Sequence, residues 1–154
     1  MKLTLSKPIF NRIKRIATDF CNSQEIDYEL MRVCGNNWFS PCDFNIVVPE
    51  LLELINKAFK DSGINRTVSR GNISIIRSFG ITHHKDYDKD SFLIVTRGKN
   101  YVFGYHKEPF TNPVSHDVNV GDVVYFLANE YHSLYSFKPT KQPFECLCIG
   151  FDSE

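Results

Sequence analysis

Apolar residues return every three or four positions in the first part of the chain. Ile9, Ile13, Ile16 and Phe20 do so after Pro8, a residue favoured in a first helical turn, while Arg12, Lys14 and Arg15 fall mostly off that stripe. The spacing predicts an amphipathic helix over residues 8–20 whose apolar face packs on the rest of the domain. Its basic, acid-free start also fits a targeting or membrane-surface helix, the alternative to packing. A second helix is predicted from Pro49 to Gly63, with Leu51, Leu52, Ile55, Ala58 and Phe59 as its buried stripe and Gly63 as its C-terminal cap. Between the two, Cys34 to Asp43 carries Gly35, Asn36, Asn37, Ser40 and Pro41, and reads as a loop holding the only tryptophan, Trp38.

From Thr67 onward the helical period disappears. Short runs rich in Ile, Val, Phe, Tyr and Thr alternate with Gly, Asn, Pro or charged turns, which predicts strands at 67–69, 73–79, 81–86, 91–96, 100–105, 115–119, 122–127, 132–137 and 143–151. Two helices ahead of seven to nine strands predict an α+β, mainly β fold: an antiparallel barrel or sandwich over 67–154 behind a helical part over 1–66. The segment from His106 to Val114, with Pro109, Asn112 and Pro113, is predicted as a mobile loop bordering a site.

A chain of 154 residues fits one domain and buries about two thirds of its unfolded surface without disulfides or a structural metal. Its 18 basic and 18 acidic side chains cancel, which removes any long-range pull toward nucleic acid or an anionic membrane and favours a small molecule or a peptide as partner. Five cysteines, Cys21, Cys34, Cys42, Cys146 and Cys148, form no regular framework and follow no secretory signal, so a reducing, cytoplasmic setting is expected. There the glycosylation patterns at Asn65-Arg66-Thr67 and Asn72-Ile73-Ser74 would stay unused. No apolar run reaches the roughly 18 residues needed to span a bilayer.

The chemistry concentrates in two places. His84 and Asp86 stand two apart on an expected strand, so both point the same way, and His132 follows a tight turn at Gly121-Asp122 and a further strand. Two histidines and one carboxylate on one side of an ion make the facial triad typical of non-haem Fe(II). His83 is the alternative to His84 if a bulge exchanges the two faces. Asp88 and Asp90 continue the alternation of Asp86, Asp90 as a candidate fourth ligand and Asp88 as a group that orients one or is merely solvated. Cys146-Leu147-Cys148 puts two thiols on one face of the last strand, where packing is the expected role and a redox or metal handle the alternative. Of the tyrosines around these motifs, Tyr87, Tyr101, Tyr105, Tyr125 and Tyr131, the expected pocket-lining one is Tyr125.

With these residues in place the chain resembles the cupin superfamily, the double-stranded β-helix barrels, and within it the JmjC-like Fe(II)/2-oxoglutarate oxygenases. Gly80, His84, Asp86, Asp90 and Gly98 follow the order of the first cupin motif, with Asp86 where cupins usually carry a second histidine and Asp90 for the usual glutamate; Gly121, Leu127, Asn129 and His132 match the spacing of the second. Asn129 replaces a glycine that sits in a turn at positive φ, a conformation Asn tolerates better than most residues. The resemblance covers residues 80–137 and implies a metal site at His84, Asp86 and His132. It also implies a cation for the distal carboxylate of 2-oxoglutarate: Lys99, or Asn100 in its place if the register slips by one, with Arg77 and Arg70 in reserve. The arginine that other oxygenases carry past the distal histidine is replaced by Gln142.

The implied function is hydroxylation of a small molecule or a peptide side chain by an Fe(II) enzyme, or one with another divalent metal, that uses 2-oxoglutarate. The alternatives are a metal-binding cupin acting without 2-oxoglutarate, as isomerases, lyases and thiol dioxygenases do, and a non-catalytic barrel that binds a small ligand. Cupin-like barrels often dimerise, and the first helix offers a surface for a homodimer.

Overall fold

The computed structural model describes residues 1–138 and 140–152, the backbone alone at Cys34. Its elements run α1 (Lys7–Asn22), α2 (Tyr28–Cys34), β1 (Asn36–Phe39), α3 (Val48–Asp61), β2 (Ile73–Ser78), β3 (Ile81–His84), β4 (Asp88–Arg97), β5 (Tyr101–His106), β6 (Val114–Val118), β7 (Val123–Phe126), β8 (Tyr131–Ser136) and β9 (Phe144–Asp152). The strands make two antiparallel sheets, in the orders β1-β2-β9-β4-β7 and β3-β8-β5-β6. Among the described residues no helix is long and apolar enough to cross a membrane.

Both predicted helices form, each within two residues of the expected ends. Ser6 Oγ accepts the Ile9 N–H at the start of α1. At the end of α3, Gly63 takes a φ of 72° and the N–H groups of Gly63 and Ile64 reach back to the carbonyls of Lys60 and Phe59, which closes the last turn. The apolar stripe of α1, Ile9, Ile13, Ile16 and Ala17, is buried in the chain's own core with Leu51, Ile55 and Phe59 of α3. Burying each Ile is worth about 2 kcal/mol relative to exposure, so this face is spent on folding rather than left for a membrane or a second copy.

The five-stranded sheet is covered on both sides, and the period of two in its strands sorts the side chains. Ile73 and Ile75 of β2, Phe92 and Ile94 of β4, and Leu147 and Ile149 of β9 face the helices. Their neighbours Ile76, Leu93, Val95, Cys146 and Cys148 face the four-stranded sheet, with Phe103, Phe126, Leu134 and Phe144. Two cores therefore share one sheet, which is why β4 is buried from Asp90 to Thr96 without a break.

Two expectations fail locally, and one short helix goes unpredicted. Residues 67–69 form no strand: the Val68 N–H and C=O bond to the Asn56 side chain of α3 at 2.8 and 2.9 Å, so their backbone partner is a helix residue rather than a sheet. The loop around Trp38 is instead the edge strand β1, paired with β2 from Asn36↔Ser78 to Phe39↔Ile75, so the helical part of the chain contributes to the sheet. Helix α2, only seven residues long and capped by the Asp27 side chain, is too short for its periodicity to be read.

Candidate metal centre

His84 ends β3 and His132 lies near the start of β8, and the two are direct cross-strand partners. The β3–β8 pairing shifts register by one residue between Ile81 and His84, so the bulge considered for this strand exists, yet His84 and not His83 faces inward. His83 packs outside the barrel against Phe110 and His106. Asp86 lies two residues past His84, but in the loop after β3 rather than in a continued strand. Its position comes from the β7–β8 turn: the Asp86 N–H donates to Ala128 O at 2.8 Å, and the Ala128 N–H donates to Lys89 O at 3.1 Å.

The three side chains converge. His84 Nε2 is 3.3 Å from Asp86 Oδ1 and His132 Nε2 is 3.2 Å from Asp86 Oδ2, and one donor atom from each of the three residues lies within 4.8 Å of the others. Each imidazole is oriented the same way, by the carbonyl two residues before it: His84 Nδ1 sits 2.7 Å from Thr82 O and His132 Nδ1 sits 2.7 Å from Glu130 O. A carbonyl only accepts, so both Nδ1 atoms carry protons and, in the neutral rings, both Nε2 lone pairs point at the carboxylate. Two lone pairs and a carboxylate facing one another need a positive charge between them. A proton on an imidazole would supply one, and a divalent cation would supply it better. Ligands about 2.1 Å from one ion are spaced about 3.0–3.4 Å apart, and the two His–Asp contacts, each to a different carboxylate oxygen, fall in that range.

His132 is buried, stacked parallel to Phe103 with centroids 5.8 Å apart and wedged against Phe126 at 4.7 Å, so its ring has little freedom. Burial by itself would raise the Asp86 carboxyl, but hydrogen bonds from His132 and His84 outweigh it and hold the group well below the usual carboxylate range. The same hydrogen bond raises His84 above the ordinary histidine value, against a smaller desolvation effect.

The triad opens into a cavity of about 350 Å³ between the two sheets. Its walls are mostly apolar, with Leu93, Phe103, Phe126 and Phe144 among them, and Trp38, Cys146 and Cys148 also line it. The thiols therefore face the cavity, but burial pushes Cys148 up to about 12 and Cys146 well above its usual value, which suits walls rather than nucleophiles. Trp38 reaches the cavity side because it pairs with Ile76 on an edge strand too short to detect by pattern.

The residues expected to hold a cosubstrate lie elsewhere. Lys99 is exposed in the β4–β5 turn, at the wrong end of the barrel: β5 starts at Tyr101 opposite Ser136 and reaches the site only at Tyr105, opposite His132. Arg77 is wholly buried on the helix side of its sheet, ion-paired to Glu145. Tyr125 is paired with Phe92 on that same side, and its hydroxyl donates to Asp90 Oδ2 at 2.8 Å; its neighbour Phe126 takes the inward position. Arg70 is exposed and bonds to Asn45. Asp90 also accepts from Arg66 at 2.7 Å, so it serves an ion pair outside the cavity and not a fourth ligand position. The segment His106–Val114 lies over the outside of the four-stranded sheet, away from the cavity, with His106 held by Thr111 O and the Ser133 hydroxyl. Asn129 has no positive φ; outside glycine, among the described residues, only Asn100 and Phe110 do.

No family model matches the sequence, and no curated protein is similar enough in sequence to count as a match. Solved structures do resemble it. IDO from Bacillus thuringiensis is 11% identical with a TM-score of 0.53, over 96% of this chain and 85% of that one. The ribosomal oxygenase YcfD of Escherichia coli is 20% identical with a TM-score of 0.48, over 68% of this chain and 28% of that one, so the chain spans less than a third of that enzyme's length. A cupin superfamily protein of Desulfitobacterium hafniense is 13% identical with a TM-score of 0.39, over 56% and 73% of the two chains. Two antiparallel sheets in these strand orders, facing one another across a His-Asp-His cluster, give the chain the cupin-type double-stranded β-helix that its motifs implied.

Proposed function

We propose that this chain is a metal-dependent oxygenase of cytoplasmic type in which His84, Asp86 and His132 hold Fe(II) and the barrel cavity holds a small substrate beside it. The observation that carries the reading is the convergence of two Nε2 atoms on one carboxylate, each imidazole held from behind by a backbone carbonyl. Two-histidine, one-carboxylate sets suit Fe(II) that activates oxygen, because they leave positions on one side of the ion for substrate and dioxygen. The protein's own contribution is orientation: Phe103 and Phe126 hold the His132 ring and Ala128 holds the Asp86 backbone.

Charge bears on the place of 2-oxoglutarate in this reading. Its distal carboxylate needs a cation, and among the described residues no lysine or arginine lines the cavity. The inward position on β5 beside His132 is Phe103. We therefore favour oxygen chemistry in which the substrate itself supplies the electrons, and keep the 2-oxoglutarate enzyme as the second reading, supported by the ligand set itself.

The test is anaerobic addition of Fe(II), with and without 2-oxoglutarate, followed by oxygen uptake, with His84→Ala as control. Iron binding lost in the variant, and no visible charge-transfer band with 2-oxoglutarate, is the expected outcome. A band dependent on His84 would move the chain to the 2-oxoglutarate enzymes. Iron bound without oxygen uptake over a panel of candidate substrates would favour a binding barrel, and no iron bound would end the proposal.

A further inference from the structure

The cavity carries charge of one sign. The chain has 18 lysines and arginines, and among the described residues none lines the cavity, whereas Asp86 and Asp88 both do. Asp86 is committed to the triad. Asp88, the first residue of β4, has no such commitment, and its seat is specifically shaped: it lies across Gly150 of β9, where an added Cβ would come within 2.3 Å of Asp88 Oδ2 and 3.0 Å of its Cγ. Only glycine leaves room for the carboxylate there. Its cross-strand partner is Asp152, a second acid, and neither makes an ion pair among the described residues. Like charges directly opposite destabilise a sheet, so the pair is better held when a cation arrives.

An anionic substrate would meet Asp88 with no lysine or arginine beside it, the metal of the reading above being its one cation, and a fully apolar one would displace water from Asp88 without replacing its hydrogen bonds. Resting on the metal reading above, we propose that the substrate is a small-molecule amine, a cationic head on an apolar body. The head pairs with Asp88, and the body lies along Leu93, Phe103 and Phe126 toward the triad. Asp88 is thus a specificity-determining residue, separate from the metal ligands.

The test uses three probes with one apolar body, 2-phenylethylamine, 2-phenylethanol and 3-phenylpropionate, titrated calorimetrically at pH 7.5 into metal-free and Zn(II)-loaded protein, with the fluorescence of Trp38, at the cavity edge, as a reporter. The amine is expected to bind about tenfold more tightly than either matched probe, the gain of one charge-assisted hydrogen bond. Asp88→Asn is expected to bring the amine down to the level of the alcohol while Co(II) uptake, read by visible absorption, is unchanged. Gly150→Ala, which must push the carboxylate out of its seat, should do the same in part and guards against a folding defect in the first variant. Equal or tighter binding of the carboxylate or the alcohol to metal-free protein, or an amine preference that survives Asp88→Asn, would overturn the proposal. Failure of Co(II) to bind while the amine preference holds would instead remove the metal reading and leave the Asp88 seat standing.

Discussion

Two ionic centres lie on opposite sides of the five-stranded sheet, one fully buried and one partly exposed, and they are built on opposite plans. On the helix side, the Arg77 guanidinium donates to Glu145 Oε1 at 2.6 and 3.1 Å, to Tyr28 OH at 2.6 Å and to Asn22 Oδ1 at 3.0 Å, while Glu145 Oε2 accepts from Thr18 and Thr96 at 2.7 and 2.6 Å. Both residues are fully buried, and every strong group has a partner inside the chain. On the barrel side, His84, Asp86 and His132 bring two Nε2 atoms and a carboxylate together, a set that a cation from outside the chain would complete. The first centre is closed and fastens α1 and α2 to β2 and β9. The second is open on its cavity side. A buried charge whose partner belongs to the chain is a structural device; one whose partner must come from outside is a candidate binding site.

The comparison breaks hardest at Arg77. Arg77→Ala leaves Glu145 buried without a counter-charge, and an expected loss of about 3–5 kcal/mol in urea unfolding follows. Retention of wild-type stability would mean that the pair is not the fastener described. His132→Ala should change the stability of metal-free protein far less, yet abolish metal uptake by equilibrium dialysis; a variant that keeps metal would move the site elsewhere.

A smaller effect is the linked gain in stability. At metal concentrations about 100 times Kd the wild type should gain about 2.7 kcal/mol, and His132→Ala nothing. Thermal unfolding with and without Co(II) measures it, and equal gains in both proteins would contradict the ligand assignment.

Smaller again is the pH dependence. His84 is raised in the folded protein by Asp86, so its contribution to metal-free stability is full below the unfolded value of about 6.5 and is lost as pH rises through the higher folded value. Asp86 is depressed, so its share is present above about 4 and lost as pH falls through the folded value. Protons and metal compete for the same Nε2 atoms, so metal affinity should rise from pH 6 to pH 8 while this part of the metal-free stability declines. Affinity independent of pH over that range would count against histidine ligation. The smallest expected effect is at Lys99: Lys99→Ala, exposed at the far end of the barrel, should leave metal and 2-oxoglutarate titrations unchanged, with a stability change within about 0.5 kcal/mol. A weakened oxo-acid response would restore it to the site.

Much of this arrangement is written in local pattern. The stripes of α1 and α3 and eight of the nine strands follow from periods of 3.6 and 2, because a side chain's face in a regular element depends only on its neighbours in sequence. The two halves of the triad were visible for a related reason, since a His and an Asp two apart and a His after a Gly-Asp turn are short-range features. Alternation along β7 separates its neighbours in the same way: with Phe126 inward, Tyr125 must face the helices.

Strand pairing and burial decided the rest, for they depend on residues far apart in the chain. That Arg77 meets Glu145 rather than a substrate follows from the β2–β9 register. That Lys99 stands at the end of β5 opposite to the site follows from the β5–β8 register. Asp86 is aimed by Ala128, 42 positions away, and Asp88 is seated by a glycine on another strand. The sequence by itself determined the helices, the strands and the three donors, because these rest on local period and chemistry. Which charges found partners, which way the cavity opened and where a cation was left wanting were set only when distant strands came together, since electrostatic pairing is a property of distance in space and not of separation along the chain.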